Sequence, residues 1–126
     1  MRFLVDNQAM KVKRRMRSPL CVGQLITPLT GYSWFGGVYA IDNGAFSNFD
    51  ENKFFRILKR QYAFASKCLF VACPDCVGDH EETLRLWNHY SKKIVGFKRA
   101  FVAQNGSENG IIPWDEIDAL FLGGKD

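Results

Sequence analysis

Several features that would assign a class of protein at once are missing from this sequence. No apolar run approaches the roughly 18 to 20 residues that a membrane-spanning helix needs, and the first ten residues lack the apolar stretch of a secretory signal. The chain also contains no G-x-S-x-G elbow, no P-loop and no G-x-G-x-x-G. We therefore expect a cytoplasmic protein that uses none of these nucleophile and phosphate-binding motifs.

Cysteine and histidine are few and do not have the spacing of a zinc site. The four cysteines include one C-x-x-C pair, Cys73 and Cys76, whereas His80 and His89 follow no metal-ligand pattern. A redox C-x-x-C usually opens a helix directly, but helix signals begin here only at Asp79. In the absence of a secretion signal, we expect reduced, mostly buried thiols, no metal and no cofactor.

The composition that is present is that of one globular domain, residues 1–126. Hydrophobic residues make up 47% of the chain and charged residues 24%, with a net charge of +4. Residues 1–17 carry a charge of +5, so the basic character is local. The cations expected to contact nucleic-acid phosphates are Lys11, Lys13, Arg14, Arg15 and Arg17. A solvated basic loop is the other interpretation of this cluster.

Short apolar runs alternate with helical patterns along the whole chain. The predicted strands are 3–5, 20–26, 38–41, 68–73, 100–103 and 119–122. Capping boxes at 48–51 and 79–82 predict the starts of two helices, and Pro113 suits a short third helix at 114–117. The buried faces of the first two are predicted to contain Phe54, Leu58, Tyr62 and Ala65, and Leu84, Trp87, Ser91 and Ile94. This alternation predicts an α/β fold with a parallel sheet.

Parallel sheets bind their ligands at the carboxyl ends of the strands, and polar groups follow several of the predicted strands there. A carboxylate can accept hydrogen bonds from the amidine edge of a purine-like base, an amide can donate to its carbonyl, and an aromatic ring can stack on its face. The sequence supplies this set as Asp75, Gln104, the amides of the Gly123-Gly124 pair and Phe46, and Asp42 follows a neighbouring predicted strand. Either aspartate alone is more often a turn residue, but their joint placement favours a site.

Four ordered motifs over residues 38–126 resemble the tRNA-guanine transglycosylase (queuine tRNA-ribosyltransferase) superfamily. The D-N-G-A-F segment at 42–46 is similar to the family's D-S-G-G-F/Y, and the strand ending at Asp75 to its base-recognition strand. The segment at 101–106 is similar to I-V-Q-G-G, and 120–124 to A-L/I-G-G. The C-P-D-C-V-G-D run at 73–79 most resembles phage members that insert 7-deazaguanines into DNA.

This resemblance implies a role for each matching residue. Asp42 is the implied catalytic acid/base, and Phe46 is the ring that stacks on the base. Asp75 is implied to accept from N1 and the exocyclic amine of guanine, Gln104 to bind the O6 side, and Gly123 or Gly124 to donate an amide. The implied reaction exchanges guanine or a 7-deazaguanine at C1′ in DNA or tRNA through a covalent intermediate.

The resemblance also implies a TIM barrel, (β/α)₈, of which six candidate strands form an incomplete part. Such barrels typically need about 250 residues. The family's nucleophilic aspartate and its zinc motif belong to later strands and have no counterpart before Asp126. We therefore expect a truncated or split protein, completed by a second chain or by self-association, in the host cytoplasm if a phage encodes it.

Two other functions stay open from the residues alone. One is a non-catalytic module that binds a base or a nucleic acid with the same residues and the basic cluster. The other is an unrelated small α/β hydrolase with Asp42 or Asp75 as a carboxylate catalyst or metal ligand.

Overall fold

The computed structural model describes residues 3–5, 22–28 and 34–123, and these form one parallel sheet with helices. The strands are β1 (Phe3–Val5), β2 (Val22–Ile26), β3 (Tyr39–Ile41), β4 (Cys68–Ala72), β5 (Arg99–Ala103) and β6 (Ala119–Leu122). Their order in the sheet is their order in the chain, and every neighbouring pair is parallel. The predicted α/β class and parallel sheet are confirmed.

The strands are short apolar runs, and one of them is irregular. Between β3 and β4, Tyr39 is opposite Cys68 but Ile41 is opposite Val71, so β4 contains one extra residue. Such a bulge reverses the faces to which the following side chains point. It places Val71 and Cys73 in the same buried cluster as Tyr39 and Ile41.

Two α-helices lie in the described part of the chain, α1 (Glu51–Gln61) and α2 (His80–Tyr90). A 3₁₀ segment follows each of them, Tyr62–Lys67 after α1 and Ser91–Lys93 after α2. Another short 3₁₀ segment, Ser107–Asn109, follows β5. No helix among the described residues is long and apolar enough to cross a membrane.

The start of α1 lies two residues later than predicted, because the N-cap is Asp50 and not Asn48. The Asp50 carboxylate accepts from the N–H of Lys53 at 3.0 Å, whereas the N–H of Asn48 donates to the carbonyl of Gly44. Asn48 therefore belongs to the turn that follows β3. The helix then buries Phe54 and Leu58 as predicted.

The predicted N-cap of α2 is confirmed at Asp79, although only half of the capping box forms. The Asp79 carboxylate accepts from the N–H of Glu82 at 3.0 Å. The Glu82 side chain does not return to Asp79; it accepts from the guanidinium of Arg85, one turn further along the helix. An Arg at i+3 offers a charged partner that the backbone N–H of Asp79 cannot match.

Parts of the predicted helix faces are wrong. Tyr62 is 60% exposed, because α1 ends at Gln61 and the 3₁₀ segment rotates the following side chains off the helix face. In α2, Thr83 is buried while Leu84 is only half-buried. Residues 114–117 form no helix; the N–H of Glu116 closes a single turn on the carbonyl of Pro113, since four residues cannot repay helix nucleation.

The hydrophobic core lies between the sheet and the two helices. Trp87 of α2 and Phe54 of α1 are fully buried there, and the Trp87 ring meets Phe101 of β5 edge to face at 5.7 Å. This layer holds the helices on one face of the sheet and orients the first turn of α2 toward the carboxyl ends of β4 and β5.

Replacing the N-cap of α2 should weaken the fold. We expect Asp79→Ala to lower the free energy of unfolding in urea by about 1 kcal/mol without changing the slope, because one N–H of the first turn loses its acceptor. Asp79→Asn keeps a capping oxygen and should leave the unfolding midpoint close to that of the wild type. Equal losses in both variants would contradict the cap as the cause.

Candidate functional site at the carboxyl ends of the strands

Strands β3 to β6 end around one small pocket, which we call the carboxyl-end pocket. Its volume is about 120 Å³, below the roughly 300 Å³ at which sites for drug-sized ligands begin. It therefore suits a single planar ring system. The lining residues are Asp42, Asn43, Phe46, Asp75, Val77, Val102, Gln104, Phe121 and Gly123.

The structure brings together five of the residues singled out in the sequence. Asp42, Phe46, Asp75, Gln104 and Gly123 all line the carboxyl-end pocket. The other predicted positions, Gly124 and the cations Lys11, Lys13, Arg14, Arg15 and Arg17, lie outside the described residues.

Asp75 lies between two side-chain amides. Its Oδ1 accepts from Nδ2 of Asn43 at 2.7 Å, and its Oδ2 accepts from Nε2 of Gln104. The same Asn43 Nδ2 also donates to the carbonyl of Cys73 at 2.8 Å. One amide follows β3, the carboxylate follows β4 and the other amide follows β5, so this contact joins the ends of three neighbouring strands.

The carboxamide of Gln104 has a fixed orientation. Its Oε1 accepts from the N–H of Gly78 at 2.9 Å, which turns Nε2 toward Asp75 and the pocket. Gly78 has a positive φ of 81°, a conformation that side chains rarely adopt, and this lets the loop after β4 present its N–H to Gln104. The amide can therefore act as a donor toward the pocket.

Asp42 combines a turn contact with a place in the pocket wall. Its Oδ2 accepts from the N–H of Gly44 at 3.1 Å, and Gly44 has a positive φ of 79°. Asp42 is thus a turn residue, as the more common role of a strand-end aspartate predicts. The same carboxyl group lines the carboxyl-end pocket, so the turn contact aims it there.

Both carboxyl groups have raised pKa values. Burial is the main cause for Asp42, opposed by the N–H groups of Gly44 and Asn43. Burial also raises the pKa of Asp75, where the Asn43 amide lowers it and the charge of Asp42 raises it further. Both carboxyl groups line the same pocket, so the charge of one disfavours the charge of the other.

The remaining walls of the pocket are apolar. Val77 and Val102 line it, and Phe121 meets Phe70 edge to face at 6.0 Å. Phe46 is 81% exposed at the edge of the pocket, so a face of its ring can stack on a flat ligand. At Gly123, a Cβ atom would lie 2.8 Å from Val102 and 3.3 Å from Nε2 of Gln104, so this position needs glycine.

Sequence reasoning missed Asn43 and Ser107. Asn43 is part of the D-N-G-A-F motif, and an amide next to a strand-end aspartate was the available signal. Ser107 accepts from the N–H of Gln104 at 2.9 Å and lies in a segment with no sequence signal for buried contacts. His80, considered above only as a metal ligand, is also buried beside the site.

The described residues contain neither a cluster of metal-ligand side chains nor a cysteine with a lowered pKa. They contain no group of three or more His, Cys, Asp or Glu side chains that could hold a metal ion. Burial raises the pKa of Cys68 and of Cys73 to about 12, so little thiolate is present at neutral pH. The pKa of Cys76 is raised as well, by desolvation first and then by nearby acidic groups.

No protein-family model, curated protein or solved structure matches this chain.

Two substitutions should move the pKa of Asp75 in opposite directions. Asp42→Asn should lower it, because a repelling charge is removed, while burial keeps it above its ordinary value. Asn43→Ala should raise it, because the carboxylate loses a donor. Carboxyl ¹³C titration by NMR measures both shifts, and shifts of the same sign would contradict this electrostatic arrangement.

Proposed function

We propose that this chain is the base-binding part of a tRNA-guanine transglycosylase-like protein, which exchanges guanine or a 7-deazaguanine in DNA or tRNA. The observation that carries the proposal is the convergence of Asp42, Asp75, Gln104 and Phe46 on one base-sized pocket. These are the positions to which the resemblance gives roles in catalysis, recognition and stacking.

The hydrogen-bonding groups of the carboxyl-end pocket complement the edge of guanine. A carboxylate has about four lone-pair sites, and in Asp75 the amides of Asn43 and Gln104 use two of them. Two sites are left for the N1–H and the exocyclic amine of guanine. Nε2 of Gln104 has a second hydrogen, which can be donated to O6. Adenine offers an acceptor at N1 and would face the carboxylate with a lone pair.

Asp42 suits the proton transfers of base exchange. When the glycosidic bond breaks, the departing base takes up a proton, and the incoming base gives one up. A carboxyl group whose pKa is raised by burial can donate the first proton and, as the carboxylate, accept the second. The attack on C1′ needs a further carboxylate, which the resemblance assigns to a strand later than β6.

The strand order supports the fold part of the proposal. A parallel sheet whose strands follow one another in chain order is the arrangement of a (β/α)₈ barrel, whereas doubly wound sheets reverse their order at a switch point. We propose that β1 to β6 are part of such a barrel, and that the two edges of the sheet pair with further strands from this protein or a partner chain.

Removing the Asp75 carboxylate should weaken the binding of guanine. We expect Asp75→Ala to lower the affinity for guanine and for 7-cyano-7-deazaguanine by about 10- to 100-fold, since two donors of the bound base lose their acceptor. Calorimetric titration measures the affinities, with adenine as the ligand expected not to bind. Asp115→Ala removes an exposed acid outside the pocket and is the matched control.

Equal guanine affinity in wild type and Asp75→Ala would remove Asp75 from recognition. Incorporation of labelled guanine into DNA or tRNA that is lost in Asp42→Asn supports base exchange. Because the attacking carboxylate is assigned to a later strand, guanine binding without incorporation by this chain alone is expected for base exchange and for a non-catalytic module alike. It supports the non-catalytic module when a partner chain that supplies this carboxylate is present.

A further inference from the structure

A row of buried polar groups contacts the backbone of Gln104 without lining the carboxyl-end pocket. The Ser107 hydroxyl accepts from the N–H of Gln104 at 2.9 Å and lies 2.8 Å from Nδ1 of His80. The N–H of Ser107 donates in turn to the carbonyl of Gln104 at 2.9 Å. Gln104 is 4% exposed, His80 5% and Ser107 6%, so water does not compete for these contacts.

The imidazole of His80 is held in place on several sides. His80 is the first residue of α2, directly after the N-cap Asp79, and its ring meets Phe101 edge to face at 6.1 Å. Behind the ring lies the backbone of Gly110, where a Cβ atom would come within 2.2 Å of Nε2. That Nε2 is buried and has no hydrogen-bond partner among the described residues.

Neither Ser107 nor His80 lines the carboxyl-end pocket, and a core of apolar side chains would hold the loop at lower desolvation cost. Natural proteins break the rule that buried polar groups are paired chiefly at functional sites, where they give up some stability for function. Ser107 is hydrogen-bonded to one of the described residues that line the pocket, Gln104.

We propose that Ser107, supported by His80, is a positioning residue that sets the Gln104 amide for the O6 atom of the bound base. Gln104 is the first residue after β5, so the sheet no longer fixes its direction there. Ser107 binds both its N–H and its carbonyl, and this directs the side chain to Gly78 and Asp75. The inference rests on the proposed function, because it specifies which part of the base depends on Ser107.

The first experiment needs no ligand. The Gln104 side-chain amide and backbone N–H are followed by ¹⁵N NMR and hydrogen exchange in the free protein. Ser107→Ala should move the Nε2 resonances and speed exchange at the Gln104 N–H, because its acceptor is gone. Ser91→Ala deletes the hydroxyl of another buried serine, outside the pocket, and should leave both signals unchanged.

The second experiment separates recognition of O6 from general damage to the pocket. Guanine and 6-thioguanine share N1–H and the exocyclic amine, but sulfur is a much weaker acceptor than O6. We expect Ser107→Ala to lower the guanine affinity by about tenfold and the 6-thioguanine affinity by less than about threefold, whereas Asp75→Ala weakens both ligands alike.

Gly110→Ala provides a variant that deletes no polar group. Its backbone φ of −108° accepts alanine, but the new methyl group must displace the His80 ring. Gly110→Ala should reproduce the loss of guanine affinity seen in Ser107→Ala. In a protein that already carries His80→Ala, adding Gly110→Ala should cause no further loss.

The possible results distinguish the two proposals. Unchanged Gln104 signals in Ser107→Ala, or equal losses for both ligands, overturn the positioning role. A third result combines altered Gln104 signals in Ser107→Ala with a wild-type protein that binds neither ligand. It supports the positioning of Gln104 but overturns the proposed function and the assignment to O6.

Discussion

The contact on which the carboxyl-end pocket depends is the carboxylate of Asp75 held between the amides of Asn43 and Gln104. Burial makes an isolated carboxylate costly, and each amide offsets part of that cost by donating to one oxygen. Because the three groups follow three neighbouring strands, any relative movement of these ends breaks a charge-assisted hydrogen bond. The hydrogen bonds that keep the carboxylate satisfied therefore also fix the shape of the carboxyl-end pocket.

The polar site and the apolar core share their supports. Asp79 ends the loop that carries Asp75, caps α2 and precedes His80, while Trp87 two turns further along the same helix fills the core against β5. The core therefore fixes the position and direction of α2 on the sheet. Through His80 and Ser107 that position is transmitted to the backbone of Gln104, so an amide of the carboxyl-end pocket is connected to the hydrophobic core.

The strands and the residues that follow them could be predicted because apolar runs and the polar groups at their ends are local patterns. Asp42, Asp75 and Gln104 were found in this way. The bulge in β4 could not be predicted, since the register of a strand depends on its neighbours in the sheet. Asn48 and Asp50 are both good caps, and the cap is Asp50 because Asn48 belongs to the turn after β3. Ser107 and His80 are 27 residues apart and meet only through the fold, so no pattern in the sequence joins them.

The sequential strand order has a consequence for how the molecule is made. Each strand pairs with the one synthesised just before it, so a growing chain on the ribosome can extend the sheet at one edge without waiting for distant residues. The groups of the carboxyl-end pocket are synthesised in the same order, so the Asn43 donor of Asp75 precedes it on the ribosome and the Gln104 donor follows it.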